Sequence, residues 1–315
     1  MDVSVIIVNY NTGHLLPEVV GALRAGQNAD QLQIIVVDNA SRDMSRQILR
    51  DQLADCEVIE NSVNVGFGRA NNQALASARG RYVLLLNTDA FIAGDTLRKT
   101  VAYMDFEPQC GVLGVKLVGR EGALQPSCRY FPSPWSVFLS RTGLSRFFPG
   151  TRLVDNMDWD HASVRECDWV PGCYYLVRKE VIDRVGLFDP RFFLYYEEVD
   201  HCRAVKAAGW KVMYYPDTTV VHIGGESAKS ESPLTGAGRQ ISALQIESEL
   251  LYFRKHHGLM GLGAALVLEH VATALQAAKA LIKHADLRAA WAHCQHLSSV
   301  WRSLLATKLA TRSTR

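Results

Sequence analysis

Short apolar runs alternate with longer segments of helical pattern along the first hundred residues of the chain. The runs are rich in β-branched residues and short enough to be strands, and the segments between them have the length or period of helices. The predicted strands are Val3–Val8, Gln33–Val37, Cys56–Glu60 and Tyr82–Leu86, and the predicted helices are Leu15–Ala25, Met44–Ala54, Arg69–Ala78 and Thr96–Met104. This order predicts a parallel sheet with right-handed crossovers, a fold that binds ligands at the carboxyl ends of its strands.

Polar side chains follow each of these four strands. They are Asn9 and Asn11, Asp38 and Asn39, Asn61 and Asn64, and Asn87 and Asp89. Because the carboxyl ends of parallel strands lie at one edge of a sheet, the pattern predicts a polar rim above an apolar sheet.

The second part of the chain is less regular. A predicted strand, Val112–Val118, precedes a long excursion from Gly119 to Val164 that is rich in proline, arginine and aromatic residues. The elements predicted after it are a strand Trp169–Val177, a helix Lys179–Val185, an aromatic loop from Leu187 to Tyr196, a helix Glu197–Ala208, and short strands Lys211–Tyr215 and Thr219–His222. Beyond Leu244 the pattern is helical to the end.

Composition bounds the class of protein. A chain of 315 residues with 48% apolar residues can bury a sizeable core, and a formal charge of +2 excludes a strongly basic nucleic-acid binder. Seven scattered cysteines without a Cys-x-x-Cys pair argue against a disulfide framework and a structural zinc site. With no basic leader or small-residue cleavage site at the start, we predict a cytosolic protein with reduced thiols.

Basic residues are concentrated near the C-terminal end of the chain. Residues 251–315 contain nine Lys or Arg and two acids, for a formal charge of +7, so the rest of the chain carries −5. Its longest apolar stretch, Leu259 to Leu275, is interrupted by Glu269 and His270 and is shorter than the ~20 residues of a spanning helix, so we predict no transmembrane helix. Amphipathic helices on an anionic membrane surface fit residues 256–315, as does a homodimer helix pair, and we favour the membrane.

Three carboxylates stand within four residues, at Glu197, Glu198 and Asp200, directly after Tyr195 and Tyr196. They predict a catalytic cluster of carboxylates at the start of a helix. The structural alternative is that acids in the first turn of a helix stabilise its macrodipole by about 0.3–1 kcal/mol each.

The acidic cluster, the strand end at Leu84–Asp89 and the opening Val3–Asn11 together resemble the family-2 inverting glycosyltransferases, and most of all bacterial rhamnosyltransferases, over roughly residues 3 to 225. The resemblance implies an α/β fold of the GT-A type. This is a Rossmann-like, mostly parallel sheet with helices on both faces, followed here by a helical C-terminal tail. The implied divisions are a nucleotide-sugar-binding half at 1–105, an acceptor-binding half at 106–255 and the basic amphipathic tail at 256–315.

The resemblance also implies roles for individual residues. Those that would bind the nucleotide-sugar are Asn9, Tyr10, Asn11, Asp38, Asn64, Gly66, Phe67, Arg69, Asn71, Asn87 and Thr88. The segment Asn87-Thr88-Asp89 is similar to the family's Asp-x-Asp metal site with the first acid replaced by Asn. Asp89, with His222, would ligate Mg²⁺ or Mn²⁺ together with diphosphate oxygens and water.

The acceptor side follows in the same way. Glu198 lies where the family has its catalytic base, with Glu197 and Asp200 beside it in the catalytic cluster. Trp169, Tyr195 and Tyr196 would stack on the acceptor. Sugar transfer with inversion needs a carboxylate and a cation, because a base removes the acceptor hydroxyl proton while a cation stabilises the departing diphosphate.

Each residue has a structural alternative. Asp38 and Asp89 could be turn or N-cap acids, a lone histidine such as His222 is mostly structural, and large aromatics such as Trp169 are core residues first.

The predicted function is therefore a metal-dependent inverting hexosyltransferase of cell-surface polysaccharide synthesis. Its favoured donor is dTDP-rhamnose and its acceptor a glycan or lipid-linked saccharide, with no nucleic acid as partner. The alternatives are the same fold with a UDP-hexose, a nucleotidyltransferase, and a catalytically degenerate scaffold. A nucleotidyltransferase needs a glycine-rich loop after strand one, where this chain has Gly13 alone. The protein is placed in the cytoplasm, peripheral to the inner membrane face.

Overall fold

The structure is a computed structural model that describes residues 2–26, 32–155, 157–224, 237–284 and 287–315. The strands are β1 (Val3–Asn9), β2 (Leu32–Asp38), β3 (Glu57–Glu60), β4 (Tyr82–Leu86), β5 (Ala90–Ile92), β6 (Cys110–Val118), β7 (Leu124–Gln125), β8 (Arg165–Cys167), β9 (Tyr174–Arg178) and β10 (Lys211–His222). The α-helices are α1 (Leu16–Ala25), α2 (Ser45–Gln52), α3 (Phe67–Leu75), α4 (Thr96–Phe106), α5 (Pro134–Thr142), α6 (Lys179–Val185), α7 (Glu197–Ala207), α8 (Ala237–His284) and α9 (Leu287–Ala306).

One mixed sheet with helices around it forms the α/β fold, as the sequence predicts. Its strand order is β3-β2-β1-β4-β9-β6-β10-β5, with β7 paired to β6 and β8 to β10. The first four strands in this order are parallel to one another. Beyond them the sheet departs from a simple parallel order, because β9 runs antiparallel between β4 and β6.

The register of the parallel strands aligns their polar ends. Asn9 of β1 lies opposite Asp38 of β2, and Asp38 lies opposite Glu60 of β3. The main-chain nitrogen of Asn39 donates to the carbonyl of Asn9 at 2.8 Å, and that of Asn61 donates to the carbonyl of Asp38 at 2.8 Å. The predicted polar rim is therefore continuous across these strand ends.

Two strand predictions need correction. The predicted strand Trp169–Val177 is shorter, since β9 begins at Tyr174 and Trp169 forms only an isolated bridge with Arg129. Pro171 and Gly172 interrupt the run, and Pro cannot supply a ladder N–H. The two predicted short strands near the end of the sheet are one strand, β10, whose pairing with β6 shifts register between Tyr215 and Thr219.

The long excursion contains a helix that the sequence analysis missed. Helix α5 starts at a capping box, in which Ser133 and Ser136 each accept from the other's main-chain nitrogen. It ends at Gly143, whose φ of 71° gives the left-handed cap that favours glycine. Ser-Pro-Trp-Ser, read as a loop, is thus a helix start with Pro134 in the first turn.

Two compact units make up the described chain. The first comprises 1–129, 157–190 and 197–237, and its core lies on the sheet around side chains such as Val5, Leu84 and Leu176. The second comprises 130–156, 191–196 and 238–315. Within it Phe138 and Leu139 of α5 pack with Ala272 of α8. The predicted boundaries at residues 105 and 255 stay predictions about function.

Helix α8 is broken at Gly258, where φ is 65° and ψ is −164°. Within it, Ala243–Ile282 is long and apolar enough to be a candidate membrane span by length and composition, with 17% of its most apolar window buried. The prediction of no transmembrane helix rested on the interruption of the apolar run at Glu269 and His270, through which α8 continues. Length and composition alone do not place a helix in a membrane, so the absence of a transmembrane helix stays a prediction.

Candidate functional site

The ends of β1 and β2 are joined by a buried side-chain network centred on Asn9. The amide nitrogen of Asn9 donates to Asp38 Oδ1 at 3.1 Å and to Ser41 Oγ at 3.0 Å, and its oxygen accepts from Thr12 Oγ1 at 3.0 Å. Thr12 Oγ1 also lies 2.9 Å from Thr88 Oγ1, which connects this network to the end of β4. The buried Asn9 side chain thus fixes the orientations of Asp38, Ser41 and Thr12 in the polar rim.

Asp38 is fully buried and has several donors. Besides Asn9, it accepts from Arg46 Nε at 3.0 Å and from the Ser41 main-chain nitrogen at 3.4 Å. Asn11 has a left-handed φ of 53°, and its main-chain nitrogen donates to Ser41 Oγ at 3.0 Å, while its side-chain oxygen accepts from the main-chain nitrogen of Arg42 at 2.7 Å. The contacts of Arg46 and Ser41 were missed in the sequence because nothing in their spacing marks them. The predicted roles of Asn9, Tyr10, Asn11 and Asp38 in base and ribose binding stay predictions.

Asn39 connects the second and third strand ends. Its nitrogen donates to Asn64 Oδ1 at 2.9 Å, while its oxygen accepts from Asn61 Nδ2 and from the Val65 main-chain nitrogen, both at 3.0 Å. Gly66 follows with a φ of 89° as the N-cap of α3. This positive φ is the conformation that a side chain would disfavour, which explains the glycine of the Asn-x-Gly-Phe segment.

Helix α3 is attached to the loop that precedes the acidic cluster. Asn72, which the sequence analysis left out, donates to the carbonyl of Phe188 at 2.7 Å and accepts from its nitrogen at 3.1 Å. Arg69 donates to the carbonyl of Pro190 at 2.8 Å, and the Phe67 ring lies 6.1 Å from the Phe188 ring. Asn71 donates to the carbonyl of Phe67, and its own oxygen is buried with no hydrogen-bond partner.

The end of β4 brings Asp89 to His222. Asp89 Oδ1 lies 3.6 Å from His222 Nε2, and both side chains are largely shielded from solvent. The other ring nitrogen of His222 lies 3.0 Å from Gln125 Oε1, and Gln125 Nε2 donates to the His222 carbonyl at 2.9 Å. Because an amide oxygen only accepts, Nδ1 of the neutral ring donates to it and Nε2 presents a lone pair toward Asp89.

This arrangement fits a divalent cation. A carboxylate and a neutral imidazole whose other ring nitrogen is hydrogen-bonded to an amide are common metal ligands. Burial lowers the pKa of His222, although the charge of Asp89 acts in the opposite direction, so the imidazole is favoured in its neutral form. Among the described residues no group of three His, Cys, Asp or Glu could hold a metal, so further ligands would come from a substrate or water.

Residues 172 and 173 lie between the end of β4 and the acidic cluster. The carbonyl of Cys173 accepts from the main-chain nitrogen of Asn87 at 3.1 Å, and the main-chain nitrogen of Gly172 donates to the Glu198 carboxylate. The Cys173 thiol is buried, and its pKa is raised by that burial and by the charges of Asp89 and Glu198. Two motifs 106 or more residues apart in the chain thus meet around two consecutive residues.

The three carboxylates of α7 have different surroundings. Glu197 and Asp200 are buried, whereas Glu198 is half-buried, as expected for residues on different sides of a helix. Burial raises the pKa of Glu197 well above its ordinary value, with a contribution from Glu198. Burial also raises the pKa of Glu198, but backbone N–H groups and Arg129 favour its ionised form. The proton of this pair is therefore held more strongly by Glu197.

Arg129 is a functional candidate that the sequence analysis missed. Its guanidinium lies 4.1 Å from the centroid of the Trp169 ring, and its main chain pairs with that of Trp169. Trp169 itself is buried, so stacking with Arg129 is its observed contact, and acceptor stacking stays a prediction. The only signal in the sequence was an arginine within the excursion before α5.

Tyr195 and Tyr196 both have left-handed backbone conformations, with φ of 72° and 69°. Two consecutive non-glycine residues in this region are strained and are held by their side chains. Tyr196 donates to Glu249 Oε2 at 3.1 Å, and its ring lies 5.2 Å from the Tyr252 ring. The loop directly before the acidic cluster in the chain is therefore fixed to α8 of its own unit. The predicted contact of these tyrosines with an acceptor stays a prediction.

His201, three residues after Glu198, is a buried neutral histidine. Its Nε2 donates to the Gly186 carbonyl at 3.0 Å, and its Nδ1 accepts from the Tyr175 hydroxyl at 2.7 Å. Burial lowers its pKa from 6.5 to about 4. Between pH 6.5 and about 4, this histidine is therefore protonated in the unfolded chain but neutral in the folded protein.

We expect stability to fall as the pH decreases through 6.5 toward about 4, and to be unaffected by this group above 6.5. The contribution is roughly 3 kcal/mol, at about 1.36 kcal/mol per pKa unit. Urea unfolding of the parent and of His201→Gln at pH 7.5, 6.0 and 5.0 measures it. The variant should start less stable and show the shallower pH dependence, and equal slopes for the two proteins would contradict this assignment.

Comparison with known proteins shows which proteins this chain is similar to. Residues 4–147 match the sequence profile of Glycosyl transferase family 2. The chain is 26% identical over 235 residues to the N-acetylglucosaminyl-diphospho-decaprenol L-rhamnosyltransferase of Mycobacterium tuberculosis, covering 69% of this chain and 75% of the relative. It is 28% identical over 241 residues to the rhamnosyltransferase WbbL of Escherichia coli, covering 72% of this chain and 86% of the relative.

A solved structure shares the fold. The mannosyltransferase PcManGT of Pyrobaculum calidifontis, in complex with GDP-Man and Mn²⁺, is similar with a TM-score of 0.59 and 18% identity, covering 98% of this chain and 88% of that one. At this identity the likeness concerns the fold alone. It agrees with the GT-A architecture expected from the sequence.

Proposed function

We propose that this chain is a glycosyltransferase of family 2, the family whose sequence profile residues 4–147 match, and that it transfers a sugar with inversion, and with the help of a divalent metal, from a nucleoside-diphosphate donor. The proposed donor is dTDP-rhamnose, because the two bacterial relatives named above are rhamnosyltransferases. The proposed acceptor is a glycan or a lipid-linked saccharide in cell-surface polysaccharide synthesis. A decaprenol-linked saccharide in the name of one relative supports the lipid-linked form.

The observation that carries this proposal is the pair of contacts at residues 172 and 173. They bring the strand end with Asn87 and Asp89 toward the carboxylate of Glu198. These residues are far apart in the chain, so the sequence alone does not predict that they lie close together. A base and a candidate cation site near each other are what displacement at an anomeric carbon requires.

Asp89 and His222 would hold Mg²⁺ or Mn²⁺, with Gln125 orienting the imidazole. The bound ion supplies Lewis-acid stabilisation of the departing diphosphate. The Asn9 network and the loop at residues 61–66, which Asn39 holds by hydrogen bonds, are proposed to shape the nucleotide site at the same strand ends.

Glu198 is the proposed base. Its carboxylate takes the proton of the acceptor hydroxyl as that oxygen bonds to the anomeric carbon, and the bond from this carbon to the diphosphate oxygen breaks on the opposite face. The nucleoside diphosphate leaves and the anomeric configuration is inverted. Arg129 and the backbone N–H groups favour the ionised carboxylate that this step needs.

A panel of nucleotide-sugars tests the donor. Thermal stability of the full chain is measured with dTDP-rhamnose, UDP-glucose, UDP-N-acetylglucosamine and GDP-mannose, each with Mn²⁺, Mg²⁺ or chelator. A ligand at 100 times its dissociation constant stabilises the folded state by about 2.7 kcal/mol. The largest stabilisation is expected for dTDP-rhamnose with metal. A larger one for a UDP-hexose favours that alternative donor, and none with any donor contradicts the proposal.

Gln125→Ala should weaken the apparent metal affinity by ~10–100-fold, the usual effect of losing the hydrogen-bond partner that orients a ligating histidine. Gln125→Glu, which keeps an acceptor for Nδ1–H, is the matched control. The measurement is donor-dependent stabilisation as a function of Mn²⁺ concentration. Unchanged Mn²⁺ dependence in Gln125→Ala would remove His222 from the proposed ligands.

The proposed setting is the cytoplasmic membrane face, with the tail as the peripheral contact. Large apolar side chains are exposed along α8 and α9, among them Met260, Ile282, Trp291 and Leu305, and residues 251–315 have a formal charge of +7. This composition suits an anionic bilayer surface. Co-sedimentation with anionic vesicles at rising salt tests it, and size-exclusion with light scattering tests the alternative homodimer.

A further inference from the structure

The segment 130–154 has a composition that the proposed reaction does not use. It contains six aromatic residues and three arginines and has neither Asp nor Glu. It belongs entirely to the second compact unit, and α5 lies within it.

One side of this segment is packed. Phe138 and Leu139 contact Ala272, Arg141 pairs with Glu269, and Gln276 donates to the Arg141 carbonyl at 2.8 Å. These contacts hold α5 against α8, so Trp135 of α5 is presented from a fixed support.

The other side is exposed and aromatic. Trp135 is 39% exposed, Phe147 61% and Phe148 43%. The rings of Trp135 and Phe148 meet edge to face at 5.2 Å between centroids, and the Arg146 guanidinium lies 4.7 Å from the Phe147 centroid. We call Trp135, Phe147 and Phe148 the aromatic patch. Arg146 and Arg152, which flank it in the chain, are exposed.

We propose that the aromatic patch inserts into the interfacial region of an anionic bilayer while Arg146 and Arg152 bind lipid headgroup phosphates. This deepens the proposed membrane setting and rests on it, and it adds a second contact outside the 256–315 tail. Aromatic side chains beside arginines are suited to the headgroup level, where each basic residue contributes about 1 kcal/mol.

The charge beside the aromatic patch favours an anionic lipid surface, rather than a second copy of the chain, as its partner. The 25 residues 130–154 contain no acid, and of their three arginines Arg141 is paired with Glu269, which leaves Arg146 and Arg152 as the charges beside the patch. Two identical patches brought together would therefore repel. An anionic lipid surface supplies both the apolar phase and the opposite charge. The exposed apolar residues of α8 and α9 belong to the same compact unit, in accord with a membrane-facing role for that unit.

The test is co-sedimentation of the full chain with vesicles of phosphatidylglycerol and phosphatidylcholine, compared with phosphatidylcholine alone. Phe147→Ser combined with Phe148→Ser should bind anionic vesicles at least ~10-fold more weakly, because two large apolar side chains no longer leave water. Arg146→Gln combined with Arg152→Gln should bind more weakly and with a smaller salt dependence. Phe106→Ser is the matched control, since Phe106 is 84% exposed at the end of α4 in the other unit.

Unchanged binding of the double Phe variant, or an equal loss in Phe106→Ser, would overturn the proposal. So would a dimer, seen by light scattering without lipid, that the double Phe variant dissociates. Circular dichroism and thermal melting of each variant confirm that it is folded, and donor-dependent stabilisation of the same variants should be unchanged. Vesicle binding through the patch in a chain that binds no nucleotide-sugar would reject the proposed function and leave this inference standing.

Discussion

Asp89→Ala is expected to lower sugar transfer by at least ~10³-fold, because it removes the carboxylate proposed to hold the metal ion, whose stabilisation of a departing diphosphate is worth several kcal/mol. Asp89 is buried next to His222 and its side chain is not part of the sheet core, so the fold should persist. The measurement is initial rate with saturating Mn²⁺, together with circular dichroism and the thermal midpoint.

Two variants sharpen this result. Asp89→Asn keeps the shape of the side chain without its charge and should be nearly as inactive as alanine. Asn87→Asp restores the acid of the family's motif and should keep or raise activity. Full turnover of the parent in excess chelator would refute metal dependence, and a complete loss in Asn87→Asp would show that the Asn87 amide has a role of its own.

Glu198→Gln is expected to lower turnover by ~10²–10⁴-fold with little change in donor affinity, since glutamine keeps the size of the side chain but cannot take a proton. The parent should lose activity on the acid side at a pH above the ordinary titration range of a glutamate, because burial raises the pKa of Glu198. Stopped-time transfer assays from pH 5 to 9, with donor titration of each variant, measure both effects.

The neighbouring carboxylates are the controls. Glu197→Gln should weaken substrate positioning more than the chemical step, and Asp200→Asn should mainly cost stability at the start of α7. If Glu198→Gln is fully active while Glu197→Gln or Asp200→Asn is inactive, the base is the residue whose replacement abolishes activity.

Apart from β5 (Ala90–Ile92), which was not predicted, the order of elements in the first hundred residues was predictable because it depends on local periodicity. The runs at Val3–Val8 and Tyr82–Leu86 have the length of strands, and Val3–Val8 is also rich in β-branched residues, while α1 to α4 correspond to the predicted helical segments. The polar residues after each strand needed only one further step, because parallel strands place their carboxyl ends along one edge.

Element boundaries in the second part were less predictable because they depend on distant partners. Strand β9 lies antiparallel between β4 and β6, and nothing within Tyr174–Arg178 specifies those neighbours. Trp169 looks like the start of that strand in the sequence, yet its backbone pairs with Arg129, 40 residues earlier in the chain.

The motifs, their order and the acidic cluster at 197–200 are properties of the chain that its sequence reveals, because each is carried by consecutive residues. Their chemistry depends on contacts between residues far apart. Gln125 orients His222 toward Asp89, Gly172 donates to Glu198, and Arg129 favours the charge of that carboxylate. Burial and hydrogen bonding of this kind exist only once the sheet has brought its strands together. For that physical reason the sequence indicates which side chains could carry the reaction, and the tertiary structure decides which of them are buried, oriented and ionised to do so.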